Sequence, residues 1–320
     1  MRTARLDHEE WHHLIRDVVL VETTPAAFAI SGSGALTCLQ GLLTNDLAAP
    51  GEQSLVYGAL LTPKGAIVVD YWVLRLAGEF LLLAEPQGHA PSLDLFRRSL
   101  PPRLAKVESR TGDLRALWLY GERVAQTLER AGFHYPEHNR VATVGEVHVA
   151  RPQAAAPFRA LLVGPPAAIA AASVSLTSQG ARAGGERDRT AADVVAGWPR
   201  LGEEIEERTL VQEVRYDEIG GVSYTKGCYT GQETVARLHF RGHTNRELKG
   251  LLWDEDRIPS GDAIVDAEGK EVGMVTSLLV LPGRTVGLGV VRRNAEVGTR
   301  VVAGGISATI MALPFEAARW

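Results

Sequence analysis

The apolar segments of this chain are short and recur in a repeated order, and that order restricts the fold more than any other feature. Residues 18–22 and 27–31 read as strands, and 35–43 carries apolar positions at helical spacing. Strands over 56–61, 66–76 and 80–84 follow, separated by Thr62-Pro63-Lys64-Gly65 and Gly78-Glu79. A helix over 89–100 then turns Leu93, Leu95, Phe96 and Leu100 toward its buried side. A second pass repeats the theme with a strand (114–120), a helix (122–131), strands (147–151 and 158–163) and a helix (166–173). Mixed strands and helices in this order predict an α+β body. From Glu247 the chain changes to short strands between Gly, Pro and Asp turns, which predicts an all-β module, barrel or sandwich. The expected regions are 1–110, 111–245 and 246–320.

Between these lie three smaller readings. Residues 181–188 are rich in Gly and Arg and read as a mobile connection. A helix over 190–196 is stopped by Gly197-Trp198-Pro199. Residues 200–208, with Glu203, Glu204, Glu206 and Glu207, read as a solvated helical face.

With 320 residues, 45% of them hydrophobic and 22% charged, the chain builds several ordinary cores. A net charge of −4 supplies no global basic field, so strong nucleic-acid binding is not expected. The charged start, Met1 to Trp11, argues against a secretory signal, and the apolar runs are too short to span a bilayer. Two distant cysteines, Cys38 and Cys228, fit a reducing cytoplasm rather than a disulfide framework. No Cys/His cluster predicts a resident metal site. Cys38, beside Leu39 and Leu42 in a helical pattern, reads as a small core residue.

The chemistry concentrates in Lys226-Gly227-Cys228-Tyr229-Thr230-Gly231-Gln232-Glu233. Gly227 and Gly231 allow a sharp turn and close approach of a partner. Lys226 lies two positions from Cys228, where a cation favours the thiolate. The next segment, 234–241, alternates and reads as a strand. On a strand, Arg237, His239, Arg241 and His243 share one face and Leu238 and Phe240 the other, an arrangement suited to a polyglutamate tail, a phosphate or an RNA backbone.

The octapeptide resembles the K-G-C-[YF]-x-G-Q-E signature of the YgfZ-type proteins, folate-binding relatives of the glycine-cleavage T-protein (GcvT). Val235-Ala236-Arg237 and Arg241-Gly242 continue the match, and Gln40 to Asp46 and Leu61 to Gly65 resemble the two N-terminal signatures in the right order. The resemblance implies three lobes in a cloverleaf around a central cavity, the last a β-barrel-like module. It also implies a tetrahydrofolate cofactor and iron–sulfur client or assembly proteins as partners, tRNA-modifying enzymes among the clients.

By resemblance, Asp70 takes the place of the T-protein's catalytic aspartate, with Val69 where active T-proteins carry a second acid. The rings of Tyr71 and Trp72 are placed to bury it and raise its pKa. Asn45, in the T-N-D turn, is expected to line the same cavity, with Cys228 at its mouth or wall. Tyr229, Gln232, Glu233, Arg237 and Arg241 are the remaining expected cofactor contacts, and Cys228, Lys226 and Asp70 the expected catalytic set. The chain departs from the family's L-R-x-E-A-G segment: Asp193 replaces the arginine and Val195 the acid. Val195 accepts no hydrogen bond from a pterin, which predicts weakened folate binding. Three functions follow as expectations: an accessory protein for iron–sulfur assembly or repair acting through Cys228; a tetrahydrofolate-dependent aminomethyltransferase; and a non-catalytic RNA- or protein-binding module.

Overall fold

The computed structural model describes residues 1–316. One eleven-stranded sheet carries the body of the protein. Its first half runs, in spatial order, Ser54–Leu61, Ile67–Arg75, Glu79–Ala84, Ala26–Ser31 and Lys106–Ser109. Its second half runs Arg140–Val144, Val147–Arg151, Ala160–Gly164, Arg115–Tyr120, Val19–Thr23 and Arg182–Ala183. The halves meet where Ser54 pairs with Arg140, reinforced by Leu55 N–H to Asn139 O and Val141 N–H to Gln53 O, both 2.9 Å. Each half follows the same plan, strand, helix, three strands, helix, strand, so the repeat seen in the sequence is a repeat of structure. The strands Arg2–Arg5, Lys106–Ser109, Arg140–Val144 and Arg182–Ala183 are additions to the sequence reading; each spans five residues or fewer, too short for a periodic pattern to betray it.

Alternation along the strands separates the cores. In Ile67–Arg75, Val69, Tyr71 and Val73 face outward onto helices Ala35–Gln40 and His89–Ser99, where Leu39 and Phe96 are fully buried. The opposite face, with Trp72 and Leu74, joins Trp118, Phe158 and Trp198 in the core between the halves. The second half mirrors this, burying Leu128 and Leu176 of helices Val124–Arg130 and Pro166–Ser178 on its outer face. Asp70, two residues before Trp72, therefore points into the middle of the molecule.

The third lobe is a closed barrel of six strands, Arg246–Trp253, Arg284–Arg292, Glu271–Leu281, Ala263–Val265, Arg300–Ala303 and Ile306–Met311, around Trp253, Ile264 and Leu278. The N-terminal strand Arg2–Arg5 adds to it in parallel along Ser277 to Val280. Arg2 reaches from there to Asp193 (3.1 Å) and Glu204 (3.0 Å), tying barrel to body.

Two expectations change. Residues 181–188 are not a loose connection: Arg182 N–H and Gly184 N–H bond Val18 O and Leu20 O, and buried Asp188 accepts from Gly185 N–H at the start of helix Glu186–Ala196. Glu204 is not on a solvated helical face but 2% exposed in a turn, accepting from Arg200 N–H, Arg2 and Ser277. Its ion pair with an N-terminal residue is the kind of long-range partner that local patterning does not reveal.

Candidate functional site

Two sites emerge, back to back. The first is a cavity of about 210 Å³ enclosed by the strand carrying Asp70, the second half-sheet and helix Glu186–Ala196. Trp72, Trp118, Phe158 and Trp198 form aromatic walls; Trp72 and Trp198 stack with ring centroids 5.4 Å apart and planes 13° from parallel. Glu186, Arg189 and Asp193 recur at i, i+3 and i+7 on the helix and so share the face turned to the cavity. Arg189 pairs with Glu85, its guanidinium 5.3 Å from the Trp118 ring centroid, and Arg200 pairs with Glu186 and Asp193. Burial alone would raise Asp193, but Arg200, Arg2 and Arg189 hold its carboxyl below the ordinary value.

Asp70 is 9% exposed. Burial pushes its carboxyl up to about 6, against the lowering pull of the Tyr57 hydroxyl, which donates to Oδ2 at 2.7 Å. Tyr57 in turn lies 3.1 Å from the Tyr216 hydroxyl. The other carboxylate oxygen, Oδ1, is buried without a hydrogen-bond partner among the described residues. A half-satisfied buried carboxyl facing an aromatic cavity is a built acceptor for a ring N–H or amino donor. Tyr71, expected to help bury Asp70, instead faces the outer core and bonds Ser92.

The second site is the octapeptide loop. Lys226 is as buried as Asp70, and its ammonium donates to Gln40 O (2.9 Å), Leu43 O (2.7 Å) and Asn45 O (2.9 Å). Burial lowers Lys226 to about 8. Thr230 N–H adds a bond to Gly41 O at 3.0 Å. At the loop's far end Gly231 has φ +83°, and a Cβ there would lie 2.7 Å from Thr62 O and 3.1 Å from Gly65 Cα. Glycine is needed at that contact, where the Thr62–Gly65 turn packs backbone to backbone against the loop. Tyr229 is buried, its ring centroid 5.2 Å from the Lys226 ammonium. Between these anchors Cys228 is exposed, and the space around Gly227 is open. Gly227 itself is not left-handed, so the turn rests on Gly231. Cys38 is partly buried on helix Ala35–Gln40.

The structure thus gathers Asn45, Lys226 and Tyr229 around the loop and leaves Asp70 in the cavity. No residue of 226–233 is among the cavity lining, so the expected placement of Cys228 at its mouth or wall gives way to two adjacent sites. Asn45 links them: its carbonyl accepts from Lys226, and its Nδ2 donates to the carbonyl of Tyr57 (2.8 Å), the residue whose hydroxyl donates to Asp70. Val195 lines a separate pocket with Leu14, Ala192 and Phe315, so its lack of an acid does not strip the cavity, where Glu186 and Asp193 stand.

The expected strand over 234–241 is helix Gln232–Arg241, started by left-handed Gly231 and anchored by buried Val235. Five alternating residues fit both periods, and the Gln212 side-chain amide bonding Val235 O is a tertiary contact invisible in the pattern. Gln232 is half-buried in its first turn and Glu233 exposed. On the helix Arg237 and Arg241 still share a face, while His239 stacks on Tyr224 away from them. Sequence reasoning missed Tyr57, Arg189, Trp198 and Arg200; the i, i+3, i+7 charges of 186, 189 and 193 were the legible signal.

Comparison with known proteins matches the GCVT N-terminal domain to residues 3–155. The tRNA-modifying protein YgfZ of Edwardsiella ictaluri is 29% identical over 238 residues, 72% of this chain and 69% of that protein. The same-named protein of Yersinia pestis is 32% identical over 108 residues, and that match spans 32% of this chain and only 33% of the relative. The crystal structure of the glycine cleavage system aminomethyltransferase T from Bartonella henselae shares the fold, with a TM-score of 0.83, 22% identity, and coverage of 97% of this chain and 89% of that one.

Proposed function

We propose, from the premise that this chain is a YgfZ-type, GcvT-like protein, that it is a folate-binding accessory protein supporting iron–sulfur cluster assembly or repair in client enzymes, tRNA-modifying ones among them. The observation that carries this reading is the exposed thiol of Cys228 on a loop whose backbone is clamped on both sides. Iron–sulfur clusters normally take four cysteine-type ligands, so one thiol acts transiently, as a ligand shared with a client or as a nucleophile on electrophilic sulfur. Lys226 serves the thiol by holding the loop, its charge shared among three carbonyls.

The cavity fits the pterin end of tetrahydrofolate. Asp70 Oδ1 offers the unpaired acceptor, and Trp72, Trp118 and Trp198 offer flat walls. About 210 Å³ is below the roughly 300–1,000 Å³ of sites that enclose a whole drug-sized ligand, so the cavity takes the ring system and leaves the tail outside. When bound, tetrahydrofolate supplies one-carbon carrier chemistry. Asp70, with a carboxyl poised near 6, holds or moves a proton beside it.

In a cell lacking the native protein, Cys228→Ser is expected to fail to restore client iron–sulfur activity; full complementation removes this reading. The same Asp70 geometry favours a second reading, a tetrahydrofolate-dependent aminomethyltransferase. That reading requires folate-dependent ammonia release from an aminomethylated lipoyl carrier, and no turnover at high protein concentration eliminates it.

A further inference from the structure

The outer face of helix Gln232–Arg241 has no role in either site. Residues 237, 240 and 241 fall at i, i+3 and i+4, so Arg237, Phe240 and Arg241 lie side by side. All are exposed, Phe240 by 66%, unusual for a ring with no covering element. Its ring is not loose: His239 meets it edge-on at 4.8 Å and Tyr224 at 5.9 Å, and Asp217 fixes that pair by bonding the Tyr224 hydroxyl and His239 Nδ1. On the neighbouring side of the helix, Leu238 lines an open depression of about 1130 Å³ reaching the barrel, with His243, Arg246, Arg292 and Arg293 and the acids Glu213 and Glu296. Glu213 engages Arg246 at 3.3 Å and Glu247 engages Arg293 at 3.5 Å, but both arginine side chains remain half-exposed. Arg237, Arg241 and Arg292 have no carboxylate partner among the described residues. A chain of net charge −4 thus carries Arg237 and Arg241 on this helix face and groups Arg246, Arg292 and Arg293 around the depression that Leu238 lines.

We propose that this face docks single-stranded RNA. That the unpaired cations are arginines matters, because the guanidinium fork matches phosphate oxygens bidentately. The supported, outward Phe240 ring matters more: an acidic protein would use the arginines and leave it idle, whereas a base stacks on it. The global charge keeps binding modest and dependent on salt, which reconciles the local face with the absence of a global basic field. The site is separate from the thiol, so it stands or falls apart from the function proposed above.

The test is fluorescence anisotropy of the full chain with a labelled single-stranded RNA of about 12 nucleotides, titrated between about 50 and about 200 mM salt. Three phosphate contacts predict a slope of about −2 in log affinity against log salt. Arg237→Gln with Arg241→Gln is expected to reduce that slope by about 1.4. Phe240→Ala is expected to weaken binding roughly tenfold with the slope unchanged. Glu233→Lys, one turn before Arg237, is expected to tighten binding, a gain that misfolding does not produce. Cys228→Ser binds RNA as the parent does. Salt-independent binding overturns the proposal, and so does displacement by polyglutamate together with Phe240→Ala indistinguishable from the parent, which assigns the face to an acidic protein.

Discussion

Lys226 and Asp70 are equally buried, each 9% exposed, one in the octapeptide loop and the other within strand Ile67–Arg75. Their hydrogen bonding is opposite. The Lys226 ammonium has three carbonyl acceptors within 2.9 Å, a full set for its three donors. The Asp70 carboxyl has one hydroxyl donor on Oδ2 and none on Oδ1. Burial displaces both from their ordinary values, Lys226 down to about 8 and Asp70 up to about 6. A satisfied buried charge is architecture; an unsatisfied one facing a cavity is a place where a ligand completes the pairing.

The comparison breaks most visibly at Lys226. Lys226→Met leaves the carbonyls of Gln40, Leu43 and Asn45 without their donor and is expected to cost about 4 kcal/mol of stability, read by urea unfolding. A tolerated methionine means the clamp is not structural. Asp70→Asn has the opposite sign. The native carboxyl titrates near 6 and the unfolded one near 3.8, so the fold holds the extra proton in that window and loses stability as pH rises through it. Removing the charge is expected to stabilise the protein by up to about 3 kcal/mol at pH 8, shrinking to nothing below about pH 4. A pH-independent effect contradicts the assignment. Gly231→Ala places a Cβ against Thr62 O at a left-handed residue and is expected to cost about 2 kcal/mol, half the clamp's effect. The smallest change is Val195→Glu, which faces the separate pocket and is expected to leave folate affinity by calorimetry unchanged. A clear tightening brings position 195 back to the pterin.

Most of the fold was legible because strand alternation and helix spacing are local: the duplicated body and the β module both follow from them. The site was legible in part. The octapeptide stood out by its residue types and Asp70 by resemblance alone, yet their separation into cavity and loop depends on which sheet face the strand of Asp70 turns inward. Lys226 looked like a cation for Cys228, since a neighbour in sequence is visible and a carbonyl 186 residues away is not. Helix Gln232–Arg241 was misread because its inward contact, Val235, is a single residue in a short alternating run.

The account rests on an outward, reachable thiol at Cys228, and timed alkylation by iodoacetamide near neutral pH, mapped by peptide mass spectrometry, measures it directly. Cys228 lies in open space on a clamped loop, while Cys38 is partly covered on its helix. The expected result is labelling of Cys228 at least about tenfold faster than Cys38. Equal labelling of the two cysteines contradicts the account and leaves the octapeptide as a structural turn.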